Sequence, residues 1–200
     1  MGMVTCDITV SVDGFAAGPE QRREEPLGTG GEELHRWMFE APDEHRAEID
    51  GILGHGAYVM GRNMFGPPRD GGWEPPWQGW WGPEPPYGAP VFVLTHTAQA
   101  PIEMAGGTTF HFVTGGVEAA MDAARAAAGD GTIAVAGGAS TVDQFLAAGL
   151  IDELRLHIAP LVLGDGARLF AASGPVGLEP IASRATPLVT HVTYRVTRSA

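Results

Sequence analysis

Thr132-Ile133-Ala134-Val135-Ala136-Gly137-Gly138-Ala139-Ser140-Thr141 is the stretch that decides the fold. Thr132 to Ala136 is a short apolar run that reads as a buried strand, and it passes through two glycines directly into a helix. That helix is expected from Thr141 to Ala148. Thr141-x-x-Gln144 fits a capping box at its start, and Gly149 stands where a C-terminal glycine cap belongs. Two adjacent glycines let a diphosphate approach the backbone, and a helix N-terminus offers free N–H groups with a partial charge of about +0.5. The pattern is not G-x-G-x-x-G, so a standard Rossmann site is not indicated. Taken alone, a tight strand-to-helix turn accounts for the same residues.

Outward from this unit, the chain alternates. Val4 to Val12 reads as a strand with Val4, Cys6, Ile8, Val10 and Val12 on one side, ending at the turn Asp13-Gly14. Glu32–Ala41 and Asp43–His55 read as helices parted by Pro42, the second burying Ile49, Ile52 and Leu53. Ala57–Met60 and Val91–Leu94 are short apolar runs expected to be buried strands. Thr109–Val113 reads as a strand and Val117–Ala128 as a helix with Val117, Ala120, Met121 and Ala124 on one face. Asp152–Ile158 is strand-like, Leu161–Phe170 holds the turn Gly164-Asp165-Gly166, and Leu178–Ser183 with Leu188–Thr197 suggests a terminal antiparallel pair. Alternation early and strands alone late predict a single-domain α/β/α sandwich around a mixed, mostly parallel sheet with an antiparallel C-terminal edge. Residues 66–90, with eight prolines and Trp73, Trp77, Trp80 and Trp81, are expected to pack as an irregular loop.

Composition narrows the function. The net charge of −12 comes from 24 acidic residues against 12 basic ones, all of them arginine, and it disfavours nucleic acid as a partner. Neither a membrane-spanning run nor a charged-then-apolar leader is present, and Cys6 is the only cysteine, so a soluble cytoplasmic protein without disulfides is expected. Cys6 lies on the apolar side of its strand and reads as core, and no G-x-S-x-G elbow is present. His35, His45, His55, His111, His157 and His191 show no metal spacing; they read as surface or internally satisfied, and no metal is expected.

Ligands of open α/β sheets lie beyond the carboxyl ends of strands. Three further groups fall at such ends. Gly61-Arg62-Asn63 presents a cation and an amide, although a surface Arg is usually only solvated. Thr95 and His96 suit the adenosine end of a dinucleotide or are plain loop residues. Asp13 is a candidate acid, although Asp-Gly is also an ordinary turn. The tryptophan loop either walls a flat heteroaromatic substrate or covers core or a dimer contact.

Together, Ser11-Val12-Asp13-Gly14-Phe15, Met60-Gly61-Arg62, Ala136-Gly137-Gly138-Ala139-Ser140, Gly149-Leu150-Ile151-Asp152-Glu153-Leu154, Pro160, Leu163-Gly164-Asp165-Gly166 and Leu169-Phe170 resemble the C-terminal reductase domain of the riboflavin biosynthesis deaminase/reductase, within the dihydrofolate reductase-like superfamily. The resemblance implies a stand-alone reductase, often homodimeric, with NADPH extended across the strand ends; NADH is not excluded. Gly61, Arg62, Gly137, Gly138, Ala139, Ser140 and Thr141 would take the diphosphate, and Asn63, Thr95 and His96 the adenosine and its 2′-phosphate. Asp13 would lie beside the nicotinamide, orienting substrate or relaying a proton. Phe15, Phe65, Trp77, Trp80 and Trp81 would line a substrate pocket. The implied chemistry is hydride transfer to a C=N or ring-opened sugar of a small pyrimidine- or pterin-like substrate. Residues 66–90 offer only Arg69 to a substrate phosphate, so that pocket looks more apolar than a ribosyl phosphate requires. Two alternatives are a dimeric binding protein that sequesters an aromatic small molecule without turnover, and a flavin-dependent oxidoreductase.

Overall fold

The computed structural model describes residues 2–66 and 77–197, so Arg69 and Trp73 lie outside the described residues. Nine strands form one sheet: β1 (Val4–Ser11), β2 (Ala57–Gly61), β3 (Pro90–Leu94), β4 (Ile102–Glu103), β5 (Thr109–Val113), β6 (Ile133–Gly137), β7 (Glu153–Ala159), β8 (Gly177–Ala185) and β9 (Thr190–Thr197). Their order is β4-β5-β3-β2-β6-β1-β7-β9-β8. The six strands from β5 to β7 are parallel. The edges are antiparallel, β4 on β5 at one side and β9 then β8 at the other. The mixed sheet with its antiparallel C-terminal edge agrees with the sequence reading. The two-residue β4 is too short to leave a periodic signal.

Of the helices α1 (Arg36–Glu40), α2 (Arg46–Ile52), α3 (Arg62–Phe65), α4 (Gly116–Ala128) and α5 (Ala139–Ala147), the last two cover one face. Ala120, Met121 and Ala124 of α4 and Val142, Phe145 and Leu146 of α5 pack on Val4, Cys6, Ile8, Val10, Ile133 and Val135. On the other face, Tyr58, Met60, Phe65, Val91, Val93 and Phe110 form a second cluster, covered by Trp77, Trp81 and Tyr87 of the proline-rich loop. Burial pushes the Cys6 thiol well up, which suits its place in the core. No helix among the described residues is long and apolar enough to cross a membrane.

Three local expectations are corrected. Helix α5 begins at Ala139, two residues before the expected start, so Thr141 lies inside the first turn and makes no capping box. Gln144 instead donates back to the Ser140 carbonyl at 3.0 Å. The C-terminal end is as expected: Gly149 has φ +65°, with Leu150 N–H on the Phe145 carbonyl and Gly149 N–H on that of Leu146, a Schellman closure. The stretch from Glu32 to Ala41 is a 3-10 turn over Gly31–His35 running into α1, and α2 ends at Ile52 with Ile49, Ile52 and Leu53 only half-buried. Its short length and its position over the sheet's antiparallel side leave that helix without a deep face.

The histidines take the internal one of their two readings. Side chains of β1 opposite Cys6 are also covered, because the 3-10 turn and α1 lie there with Trp37 fully buried. Around Trp37 gather His45, His157 and His191, with ring centroids 5.4, 4.8 and 5.0 Å from it. All three are buried rather than at the surface. Desolvation lowers the pKa of His45 and that of His191, the latter to about 4.

Candidate functional site

The register of the sheet sets the site. β2 lies between β3 and β6, with Gly61 opposite Leu94 and Met60 opposite Gly137, and β1 follows β6. The carboxyl ends of β3, β2, β6 and β1 thus present Thr95-His96, Gly61-Arg62, Gly137-Gly138 and Asp13 in one row. Three interstrand steps of about 4.8 Å make this row about 14 Å long.

At its centre β6 ends in Gly137, whose φ of +123° is a backbone conformation that side chains rarely adopt. The Gly137-Gly138 peptide is cis. A Cβ placed on Gly138 would meet nothing within 4 Å, so the second glycine faces open space. Ala139 begins the nine-residue helix α5, whose Thr141 and Val142 N–H groups return to the Gly138 carbonyl. An anionic group brought against Gly138 meets the positive end of a helix and no side chain. Such a cradle fits a dinucleotide diphosphate.

Gly61 is required by packing. A Cβ there would collide with the Thr141 hydroxyl, so this glycine lets the end of β2 approach the first turn of α5. Arg62 is half-exposed beside it, with its NH1 3.5 Å from the exposed Asn63 Oδ1. Thr95 is buried and its hydroxyl accepts the Thr97 N–H at 3.1 Å, so it shapes the loop; His96 is exposed. Ser140 is exposed on the first turn of α5, whereas Ala139 and Thr141 are buried.

Asp13 stands at the end of β1 with both carboxylate oxygens engaged. Ser11 Oγ donates to Oδ1 at 2.6 Å, Leu163 N–H to Oδ1 at 3.1 Å and Gly164 N–H to Oδ2 at 2.7 Å. The Ser11 hydroxyl, followed by the two backbone N–H groups, holds its pKa down to about 2. At neutral pH this carboxylate has no proton to relay, and in the structure it ties the end of β1 to the loop after β7. Because its folded pKa lies below the ordinary value of 3.8, its stabilisation is complete above about pH 4 and is lost as pH falls towards 2. Asp13→Asn should therefore melt at a lower temperature than the parent at pH 7, and the gap should close between about pH 4 and pH 2. Thermal melts of both proteins across that range check this.

The loop after β7 was legible only as a motif. Asp143 of α5, almost fully buried, accepts Phe170 N–H at 2.7 Å and Ala172 N–H at 3.0 Å, pinning that loop to the helix behind the glycine turn. This anchors Arg168, which donates to the Asp13 carbonyl at 3.1 Å with its guanidinium 4.3 Å from the Phe15 ring centroid. Phe15 is buried under that cation.

The aromatic residues divide. Phe65 is fully buried within the second core cluster, and the half-buried Trp81 packs against that cluster with its ring stacked on Phe110 at 6.0 Å. Trp77 donates to the Phe65 carbonyl at 2.9 Å, lies edge-on to Trp80 at 4.5 Å and has Arg23 over its ring at 5.5 Å. It therefore stands by the end of β2. A cavity of about 350 Å³ lies elsewhere, beyond the end of β7, lined by Gly30, Glu33, Arg36, Pro160–Leu163, Pro187 and Leu188. Its only charged groups are Glu33 and Arg36, and Arg36 is already paired with Glu40 at 2.7 Å. Since β1 lies between β6 and β7, Asp13 separates the glycine turn from this cavity.

This arrangement is similar to known proteins in fold and in sequence family. A structure of a riboflavin biosynthesis protein from Shewanella sp. PV-4 superposes with a TM-score of 0.63 at 22% identity, covering 98% of this chain and 99% of that one. RibD of Acinetobacter baumannii gives 0.62 at 18% identity; 99% of this chain matches 59% of that longer protein. A pyrimidine reductase-like protein of Corynebacterium diphtheriae gives 0.59 at 14%, with 99% and 93% covered. No curated protein sequence matches significantly. The family model of the RibD C-terminal domain matches residues 2–192. The chain belongs to the RibD C-terminal domain family, and so to a family of reductase domains.

Proposed function

We propose that this chain is an NADPH-dependent reductase of a small flat heterocycle, pyrimidine- or pterin-like. The observation that carries the reading is the open space at Gly138, on the amino end of α5 and in the middle of the row of strand ends. Gly137, Gly138, Ala139 and Ser140 would hold the diphosphate, Arg62 would add a cation beside it, and Asn63 and His96 lie where the adenosine end would extend. A bound nicotinamide supplies the hydride. Asp13 keeps its carboxylate ionised and bonded, fixing the loop that floors the cavity beyond β7. That cavity, apolar apart from Glu33 and Arg36, suits a flat ring better than a second phosphate. The chain's contribution to rate is then positioning and exclusion of water.

The test is oxidation of NADPH, followed by its loss of absorbance, in the presence of pyrimidine ribosides, their phosphates and pterins. Turnover with one class supports the reading. Tight binding of such a compound with no oxidation of NADPH or NADH would transfer support to a sequestering protein. Arg62→Ala should weaken NADPH binding by roughly tenfold, the worth of one charge-assisted hydrogen bond of about 1.5 kcal/mol; a fluorescence titration measures it.

A further inference from the structure

The glycine turn at the end of β6 lies between two other strand ends, that of β2 with Arg62 on one side and that of β1 with Asp13 on the other. On the β2 side a cation is at hand. On the β1 side stands a carboxylate that stays ionised at neutral pH, about one interstrand step of 4.8 Å from the turn. A diphosphate laid against Gly138 is repelled from that side unless a positive charge stands there as well.

Arg168 is such a charge, and it is held in place. Its NH1 donates to the Asp13 carbonyl at 3.1 Å and its guanidinium lies 4.3 Å from the Phe15 ring centroid, so it rests on the turn that ends β1. Phe15 and Arg168 form an antiparallel bridge, with Leu169 N–H on the Gly14 carbonyl and Ala16 N–H on that of Ala167. Two residues on, Phe170 has φ +64°, a left-handed conformation uncommon for a bulky side chain. Such strain persists only where the surroundings over-determine it. Here Asp143 imposes it, accepting the N–H groups of Phe170 and Ala172. The loop that carries Arg168 is thereby fixed both to the end of β1 and to α5.

The cation is also uncommitted. Seven arginines among the described residues lie within 4.0 Å of a carboxylate, whereas Arg168 has no carboxylate at that distance, although the chain carries a net charge of −12. One guanidinium N–H serves the Asp13 carbonyl, and no other acceptor among the described residues takes the rest. An arginine kept for an ion pair would have its carboxylate, and one kept only for solvation has no need of a stacked and hydrogen-bonded seat.

We propose, on the nucleotide reading of the glycine turn, that Arg168 closes the diphosphate site on the side of β1, opposite Arg62. Its role is affinity and register. The diphosphate is common to NADPH and NADH, so Arg168 serves both alike and does not choose between them.

The test is fluorescence titration of the parent, Arg168→Gln and Arg168→Lys with NADPH, NADH and ADP-ribose, which carries the diphosphate without the nicotinamide, alongside thermal melts. Arg168→Gln removes the charge and keeps a donor for the Asp13 carbonyl. It should weaken all three ligands by the same factor, roughly tenfold, as expected for one charge-assisted hydrogen bond. That loss should shrink as salt is raised, because the attraction is screened, and Arg168→Lys should recover part of it. NADPH that binds Arg168→Gln as tightly as the parent overturns this role of Arg168 and leaves the glycine turn as the nucleotide site. A loss that salt does not change, or that Arg168→Lys shares in full, overturns it too, since loosening of the loop would act in that way. Failure of the parent to bind any of the three ligands overturns the nucleotide reading and this role with it.

Discussion

Gly138→Val should weaken NADPH binding at least a hundredfold while the protein still melts cooperatively. The added side chain meets no protein atom, so its whole effect falls on whatever approaches the backbone there. A hundredfold is about 2.7 kcal/mol, in the range expected when a group is pushed off the backbone donors it was bonded to. Gly61→Ala should do the opposite. Its Cβ strikes the Thr141 hydroxyl, an overpacking that costs about 1–3 kcal/mol and lowers the melting temperature before any ligand is added. Titration and melting of the two variants side by side separate a glycine kept for a ligand from one kept for packing.

Trp37→Ala should be the most destabilising single change among the residues packed with His45, His157 and His191. The indole is fully buried and touches three imidazoles on three different elements, so its removal leaves a cavity walled by polar rings. Loss of a buried tryptophan costs about 3–5 kcal/mol, which for a chain of this size lowers the melting temperature by roughly 6–20 °C. Trp37→Phe should recover a good part of it. A drop of only a degree or two in Trp37→Ala would mean that the histidine layer holds itself together without the indole.

The parallel sheet and its strand-end turns were legible because short apolar runs ending in glycine carry both signals locally. Gly137-Gly138, Gly61-Arg62 and Asp13 fall at adjacent strand ends as the sequence led one to expect. What was hidden depends on distant partners. Asp13 reads as an acid until Leu163 and Gly164, 150 residues away, are seen to donate to it. The resemblance makes Phe65 and Trp81 pocket walls, whereas in the structure the Phe110 ring holds Phe65 in the second core cluster and Trp81 against it. The histidines have no spacing to reveal them because His45, His157 and His191 come from a helix cap and two paired strands. Asp143 sits mid-helix with no local oddity, and only the loop that it pins explains its burial. The capping box failed because two glycines before a helix already supply its start, and Gly138 serves as the N-cap without a side chain.

The most direct test of the account is a titration of the protein with NADPH and with NADH, followed by quenching of tryptophan fluorescence and by the emission of bound nicotinamide. NADPH should bind saturably at micromolar concentration, and Gly138→Val should abolish that binding. Absence of binding of either nucleotide up to millimolar concentration, or binding that Gly138→Val leaves intact, would contradict it.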